Sequence, residues 1–469
     1  MKKLSDIYKN FPDTLINDVK INSKEVKEND IFVCVKGVTA NRNEYIDEAI
    51  KNGAKVIVTD KVVECPATVI EVKDPDKELV KIAKKLYDYD KNKLELIAVT
   101  GTNGKTTISE IIQDLIGNDI CGYMGTNGIS CSSFEEEIRN TTPGPDRLYK
   151  YFKRFREENC KYLSMEASSE AFYRKRLVGL KFKVGIFTNI SEEHLNVHKN
   201  IKNYINCKKQ LFKQIDRNGY SILNKDDKYF EEFKKVCKTK ILTYGKKDAD
   251  LEIVNYKNHL NYTDITLKYR NKKYKIKSPL VGEFNVYNLC GAMLALIGLN
   301  YDMDDILSRI ENIKAPKGRV EFLDFNQNYH ILLDYAHTPD ALENIYIYLK
   351  SINIKRIITV TGSAGGRDKD KRKYIGKIVL DNSYYTIFTM DDPRYEDVNE
   401  IINDLVSLSD KTNYERIINR KEAIFKALSL AKVNDLVLIA GKGTDNYMAI
   451  KDEYQEYSDY NVIKEYFKR

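Results

Sequence analysis

The chain has no tryptophan, nine prolines and eight cysteines in 469 residues, and each shortage excludes something. Cys34, Cys65, Cys121, Cys131, Cys160, Cys207, Cys237 and Cys290 stand apart, with no C-x-x-C pair, and the five histidines do not cluster beside them. A disulfide scaffold and a zinc framework are therefore excluded, and the thiols read as reduced and mostly buried. No apolar run approaches the roughly 18 residues of a membrane span. The first thirty residues are polar, with no apolar stretch of the kind a secretion signal needs. A cytoplasmic protein without membrane insertion is expected. The formal charge of +8 arises from 77 basic and 69 acidic side chains mixed along the whole length. It weakly favours small anionic substrates. Clusters of Lys and Arg interleaved with aromatic residues are not evident, so a non-enzymatic nucleic-acid-binding ATPase has only the charge in its favour. At this length two to four domains are expected.

What is present begins at Leu94, where the apolar run LELIAVT breaks into GTNGKTT and then into an amphipathic segment. Ile108, Ile111, Ile112 and Leu115 fall at i, i+3, i+4 and i+7, one face of a helix. Strand, glycine loop and helix follow one another. In such a loop Gly101 and Gly104 let backbone N–H groups close around phosphate oxygens, Lys105 adds a point charge, and the positive end of the helix dipole faces the anion. A nucleoside triphosphate is the expected ligand. The strict G-x-x-x-x-G-K-[ST] pattern asks for glycine at position 99, where Val99 stands.

Three regions separate by pattern. Short apolar runs (DIFVCVKG, AKVIVTD, ATVIEV) and two helical stretches mark a small α/β domain over residues 1–91. Residues 92–315 carry buried-strand candidates LIAVT, YLSMEA, VGIFTNIS, YSILN and KILTYG, then a hairpin-like ITLKYRNKKYKIKSPLVG; this is a larger ATP-binding α/β domain with a parallel sheet. Residues 316–469 read as a Rossmann-like domain, in which ILLDYAHTPDAL, IITVTGSAGGRDKDKR, YYTIFTMDDPR and LVLIAGKGTDNY each run from an apolar strand into a polar loop. Open α/β sheets bind ligands at these carboxyl ends. Glu166 after YLSM and His194 after VGIFTNISEE stand where a divalent cation beside the phosphates needs donors, because Mg²⁺ prefers oxygen and accepts an imidazole as a supplement. A carboxylate capping a helix and a structural histidine are the plainer readings of the same two residues.

Taken together, GTNGKTT, NTTPGPD, MEASSEAFYRKR, FTNISEEHLNVH, GEFNVYNLCGA, GRVE, DYAHTPDAL and DDPR resemble the Mur ligases, in collinear order over nearly the whole chain. DYAHTPDAL and the D-x-P-R loop are specific to the UDP-N-acetylmuramoyl-tripeptide synthetase branch. The resemblance implies three domains and an ATP-dependent ligase of cytoplasmic peptidoglycan precursor synthesis. It would phosphorylate the D-glutamate side-chain carboxylate of UDP-MurNAc-L-Ala-D-Glu and join a diamino acid to the resulting acyl phosphate. A folylpolyglutamate-type ligase shares the glycine loop and is the alternative. The expected partners are small molecules, with no nucleic acid, and a monomer is expected.

The resemblance also assigns residues. Gly101, Thr102, Asn103, Gly104, Lys105, Thr106 and Thr107 would serve ATP, with Asn285 and Asn288 near the adenine and Arg319 and Asp334 near the phosphates and ribose. A turn or cap role accounts for the two asparagines as well. Thr106, Glu166, His194 and Lys208 would hold Mg²⁺, Lys208 as a carbamate, because carbon dioxide turns its cation into an anion with two oxygens; on bare sequence Lys208 is a helix-surface lysine beside Lys209. Ile21, Ser23, Val38, Thr39 and Ala40 match the uridine side, although the family usually reads D-S-R and D-G-H where this chain has N-S-K and N-R-N. Asn140, Thr141, Thr142, Ser168, Arg174 and Arg176 match the diphosphate sugar and its peptide. Arg367, Asp391, Asp392, Pro393, Arg394, Gly441 and Asp445 match the amino-acid pocket. There Arg367 and Arg394 favour meso-diaminopimelate, whose distal carboxylate a guanidinium can fork onto, over lysine. Asp392 stands where the family's loop has asparagine and suits an ammonium end; Thr444 and Asp445 replace the family's histidine and glutamate.

Overall fold

In the computed structural model, residues 1–36, 42–91, 94–138, 140–191, 193 and 195–468 are described. The chain divides into two compact units, the first made of residues 1–97 and 117–183, the second of residues 98–116 and 184–469.

In the first unit the short apolar runs become a four-stranded parallel sheet in the order Val19–Lys20, Asp30–Val33, Ala54–Thr59, Thr68–Glu71. Helix Pro75–Leu86 starts on Asp74, whose carboxylate accepts from the Lys77 N–H, and on a proline at its first turn. Both are strong start signals. Leu79, Ile82, Ala83 and Leu86 form its buried stripe, and it packs on helix Pro145–Glu157. Strands Phe134–Glu136, Gly128–Cys131, Cys121–Gly125 and Tyr162–Glu166 lie side by side in that order, the last pair parallel. Tyr162–Glu166 is buried at every position, as parallel strands covered on both faces are.

In the second unit Thr100 leads from its strand into helix Lys105–Ile116, whose four predicted apolar residues are all fully buried. Helix Glu283–Gly298 packs beside it. Strands Ile215–Asn224, Lys240–Gly245 and Leu251–Asn258 are parallel neighbours, extended by the antiparallel strands Thr263–Tyr269 and Lys272–Ser278. These last two form the expected hairpin, closed by Arg270 and Asn271 with φ of 47° and 64°. Two positive φ values are what a tight turn needs to match the twist of its strands.

A six-stranded sheet follows in the order Glu321–Leu323, His330–Asp334, Leu436–Ala440, Ile357–Thr361, Tyr385–Phe388, Tyr414–Arg416, parallel except for its first strand. Alternate residues serve opposite faces. Leu332, Leu438 and Phe388 enter one apolar cluster, and Ile331, Val437 and Ile387 the other. Helices Pro339–Ser351, Arg372–Asn382 and Val398–Val406 cover the first face, and Arg420–Leu430 with Asp459–Phe467 the second. The sheet is thus buried on both sides, and its polar residues gather where the strands end.

Candidate active site

Val99 explains the missing glycine. It is fully buried inside strand Glu95–Thr100, so the loop begins two residues later, at Gly101. Thr102 is locked by its neighbours: its N–H donates to the Asn189 carbonyl, its hydroxyl accepts from the Ser191 N–H at 3.0 Å and shares a hydrogen bond with the Tyr204 hydroxyl at 3.1 Å. The Asn103 N–H donates to Asn189 Oδ1, and its carbonyl accepts from the Thr188 hydroxyl at 2.6 Å. Gly104 has φ of 85°, and a Cβ there would fall 2.4 Å from Asn288 Oδ1, so only glycine fits. Lys105 Nζ donates to the carbonyls of Gly101 and Thr102 at 3.1 and 2.7 Å. Thr106 is buried in the first helical turn.

Beside this loop lies a cavity of about 400 Å³, within the range of small-molecule sites. Asn103, Gly104, Thr107, Asn285, Asn288, Arg319 and Asp334 all line it, so seven of the eleven residues assigned to ATP meet in one place. Asn285 and Asn288 are neither caps nor turns. They sit inside helix Glu283–Gly298, where Asn285 Nδ2 donates to the Val281 carbonyl and Asn288 Nδ2 to Asn285 Oδ1. Asp334 organises its loop, accepting from the N–H groups of Val320 and Ala336 at 2.6 Å each. Its carboxyl is held above the usual carboxylate range by burial, against the pull of Arg319. Asp226, Asp227, Tyr244, Tyr287 and Tyr335, which the sequence did not single out, also line it. Nor did the sequence single out His337, whose Nδ1 donates to the Tyr335 carbonyl while Nε2 lies 3.2 Å from Glu193 Oε1. Both residues stand in motifs read for their neighbours.

Lys208 is buried in helix Ile201–Lys213, not on its surface. Its Nζ donates to the Gly101 carbonyl at 2.6 Å and sits 4.4 Å from the centre of the Tyr204 ring. Burial, with Lys105 nearby, pushes its ammonium well below the usual lysine range, against the attraction of Glu193. Glu166, in the first unit, accepts from the Thr126 N–H at 2.7 Å and the Tyr123 hydroxyl at 3.1 Å. It caps no helix; Ser168 does, accepting from the Ala171 N–H. His194 lies outside the described residues. Among the described residues no three His, Cys, Asp or Glu side chains converge as metal donors.

Val38, Thr39 and Ala40 also lie outside the described residues. In the first unit Ile21, Asn140 and Arg176 line a second cavity of about 220 Å³ together with Arg42, Asp146 and Arg147. Ser23 does not line it; its hydroxyl donates to Glu48 Oε2. The Thr142 hydroxyl donates to the Glu166 carbonyl at 2.8 Å, and Arg176 to the Thr142 carbonyl at 2.8 Å. The Thr141 and Thr126 hydroxyls are 3.2 Å apart. Arg174 is exposed and paired one helical turn back with Glu170.

The ends of the six-stranded sheet bring the third group together. Pro393 follows Asp392 into a tight approach to Gly365, whose N–H donates to the Asp392 carbonyl. Arg394, with φ of 53°, exchanges backbone hydrogen bonds with Ala449 and Lys451. Its side chain and that of exposed Arg367 have no carboxylate partner among the described residues. Opposite in sign are Asp391, Asp392 and Asp445, gathered around Lys442. Gly441 has φ of 118°, and a Cβ on it would fall 2.5 Å from Asp391 Oδ2. Burial and the neighbouring aspartates raise the Asp445 carboxyl to about 6, although Lys442 works the other way.

A parallel α/β fold with a glycine phosphate loop beside a nucleotide-sized cavity, and charged pockets at its strand ends, defines a nucleotide-dependent group-transfer enzyme. Comparison makes the class specific. Residues 99–296 match the Mur ligase middle domain and residues 318–443 the Mur ligase, glutamate ligase domain. The chain belongs to the Mur ligase family. It is 35% identical to a UDP-N-acetylmuramoyl-L-alanyl-D-glutamate–2,6-diaminopimelate ligase of Clostridium perfringens, over 98% of this chain and 96% of the relative. It is 36% identical to the protein of that name from Fusobacterium nucleatum, over 96% and 94%. A solved structure bearing that name superposes with a TM-score of 0.69 at 27% identity, over 100% of this chain and 99% of the other. A folylpolyglutamate synthase from Mycobacterium tuberculosis shares the fold alone, at 15% identity over 77% of the chain. No helix among the described residues is long and apolar enough to cross a membrane.

Proposed function

We propose that this chain joins meso-diaminopimelate to the D-glutamate side-chain carboxylate of UDP-MurNAc-L-Ala-D-Glu, using ATP and Mg²⁺ in the cytoplasm. The terminal phosphoryl group of ATP passes to the carboxylate, ADP leaves, and the amine of the amino acid attacks the acyl phosphate, expelling phosphate and losing a proton. A carboxylate is a poor electrophile until one oxygen becomes a leaving group, and phosphoryl transfer asks chiefly for positioning and positive charge. Residues 1–91 take the nucleotide sugar, 92–315 take ATP, and 316–469 take the amino acid. Lys105 faces the transferring phosphoryl group, and Asn285, Asn288, Arg319 and Asp334 shape the nucleotide's cavity. Mg²⁺ would supply charge to spread over the phosphate oxygens. Thr106, Glu166, His194 and Lys208 would hold it, and the donor set fits only with Lys208 carbamylated, because a free lysine amine is no magnesium ligand.

The observation that carries the amino-acid choice is the charge arrangement at the strand ends. Two guanidinium groups without carboxylate partners among the described residues sit on the strand-end loops that also carry three carboxylates around one lysine. The far end of diaminopimelate is itself a carboxylate and an ammonium, whereas lysine offers the ammonium alone. Phosphate release is expected only when UDP-MurNAc-dipeptide, a diamino acid, ATP and Mg²⁺ are present together. Equal release without the muramoyl acceptor would remove the assignment.

Arg394→Ala separates the two amino acids. It removes one of the two guanidinium groups that face the distal carboxylate of diaminopimelate, a loss of about 2–5 kcal/mol in kcat/KM. Lysine should lose far less. Steady-state kinetics with both amino acids checks this, and equal losses would make Arg394 a brace of its loop.

A further inference from the structure

Lys442 is fully buried, so carboxylates rather than water answer its charge. Asp392 Oδ1 lies at 2.8 Å, Asp445 Oδ2 at 3.5 Å and Asp391 Oδ1 at 4.0 Å. Three carboxylates crowd this one buried cation, and burial with the two neighbouring aspartates raises the Asp445 carboxyl to about 6. Carboxylates gathered this closely repel one another, and a cation arriving beside them would relieve that repulsion.

The pairing crosses the sheet. Lys442 follows strand Leu436–Ala440 and Asp392 follows Tyr385–Phe388, and the strand between them, Ile357–Thr361, leads to the loop of Arg367. Asp392 Oδ1 is committed to Lys442 and to the Ala449 N–H at 2.9 Å. Its Oδ2 accepts no hydrogen bond among the described residues, and neither does Asp391. The negative charge of Asp392, which its sequence position suggests is free to meet an ammonium, is therefore half spent inside the protein, with one oxygen left over.

We propose that Lys442 is a positioning residue for amino-acid selection: it holds Asp392 and Asp445 together as an ionised wall that receives the distal ammonium of the incoming amino acid. Lys442 has this role only if the pocket takes a diamino acid, as proposed above. Without the lysine, three carboxylates in one small space cannot all ionise, so protons would neutralise the wall. The ammonium would then lose its partner while the two arginines kept theirs.

Three amino acids test this: meso-diaminopimelate, lysine, which lacks the distal carboxylate, and 2-aminoheptanedioic acid, which lacks the distal ammonium. Phosphate release is followed with ATP and UDP-MurNAc-dipeptide saturating. The wild-type protein should prefer diaminopimelate to 2-aminoheptanedioic acid by at least a hundredfold in kcat/KM. Lys442→Met should cut that ratio at least tenfold, mainly through KM for diaminopimelate, with KM for ATP unchanged. Lys442→Arg should keep most of it. Asp392→Asn combined with Lys442→Met relieves the like-charge crowding but leaves Asp445 without Asp392 beside it, so it should recover folding and part, not all, of the lost ratio. If Lys442→Met fails to fold, recovery of folding and of part of the ratio in the double variant still supports the pairing. An unchanged ratio in Lys442→Met, or a double variant that is no better, overturns the proposal. Wild-type protein that uses none of the three amino acids overturns the diamino-acid reading itself, a result separable from either.

Discussion

Lys105→Ala should lower kcat by roughly two to four orders of magnitude, the scale of a lost electrostatic stabiliser of a transferring group. That corresponds to about 3–5 kcal/mol of barrier. Lys105 opens helix Lys105–Ile116, where a cation meets the positive end of the helix dipole. That placement disfavours a lysine on stability grounds, and its Nζ donates to carbonyls of its own loop, at 2.7 and 3.1 Å. A phosphate arriving in the loop would offer it a better partner. The helix is anchored elsewhere, by the fully buried Ile108, Ile111, Ile112 and Leu115. Lys105→Ala should therefore remain folded, with a cooperative thermal transition, while single-turnover phosphate release collapses. Near-normal turnover would show that the glycine loop is not where the phosphoryl group is transferred.

The parts of the molecule that were legible in the sequence are those set by neighbours along the chain. Helix Pro75–Leu86 is announced by Asp74, Pro75 and a stripe at helical spacing, and the hairpin around Arg270 and Asn271 by alternation on either side of its turn. The sheet of the last third was readable as repeated apolar runs ending in polar loops. Val99 looked like a defect in the phosphate loop and is a buried strand residue; the loop's close turn is carried by Gly104 against Asn288.

What the sequence hid depends on residues far apart in it. Lys442 and Asp392 are fifty positions apart and meet only because their strands flank Ile357–Thr361 in one sheet. Ser23 reads as a contact to the nucleotide sugar, yet its hydroxyl is turned to Glu48, twenty-five residues on. Arg174 is similar: the glutamate at position 170, one helical turn away, takes its guanidinium at 2.6 Å. Lys208 is the reverse case, since its neighbour Lys209 is a cation paired with Glu232 while Lys208 itself points inward to Gly101. A pattern of two adjacent lysines does not say which of them faces the core.

Lys208→Ala should be nearly inactive, and a short carboxylate such as acetate should restore part of the lost rate. Carbon dioxide adds only to a neutral amine, and burial beside Lys105 makes the neutral form of Lys208 accessible well below the usual lysine range. The added group replaces a cation by an anion with two oxygens, which suits Mg²⁺ where an ammonium would repel it. Removing the side chain leaves that space and its missing anion, and acetate can enter as a separate molecule. The helix should survive, because Tyr204, Ile205, Leu211 and Phe212 bury its inner face independently of Lys208. Activity measured against acetate concentration at fixed Mg²⁺ should rise and saturate in Lys208→Ala and stay flat in wild type. Mass spectrometry of wild-type protein kept in bicarbonate should show the added carbon dioxide on Lys208. Full activity of the alanine variant without acetate, or no added mass under bicarbonate, would leave Lys208 as a buried amine that braces the Gly101 carbonyl and nothing more.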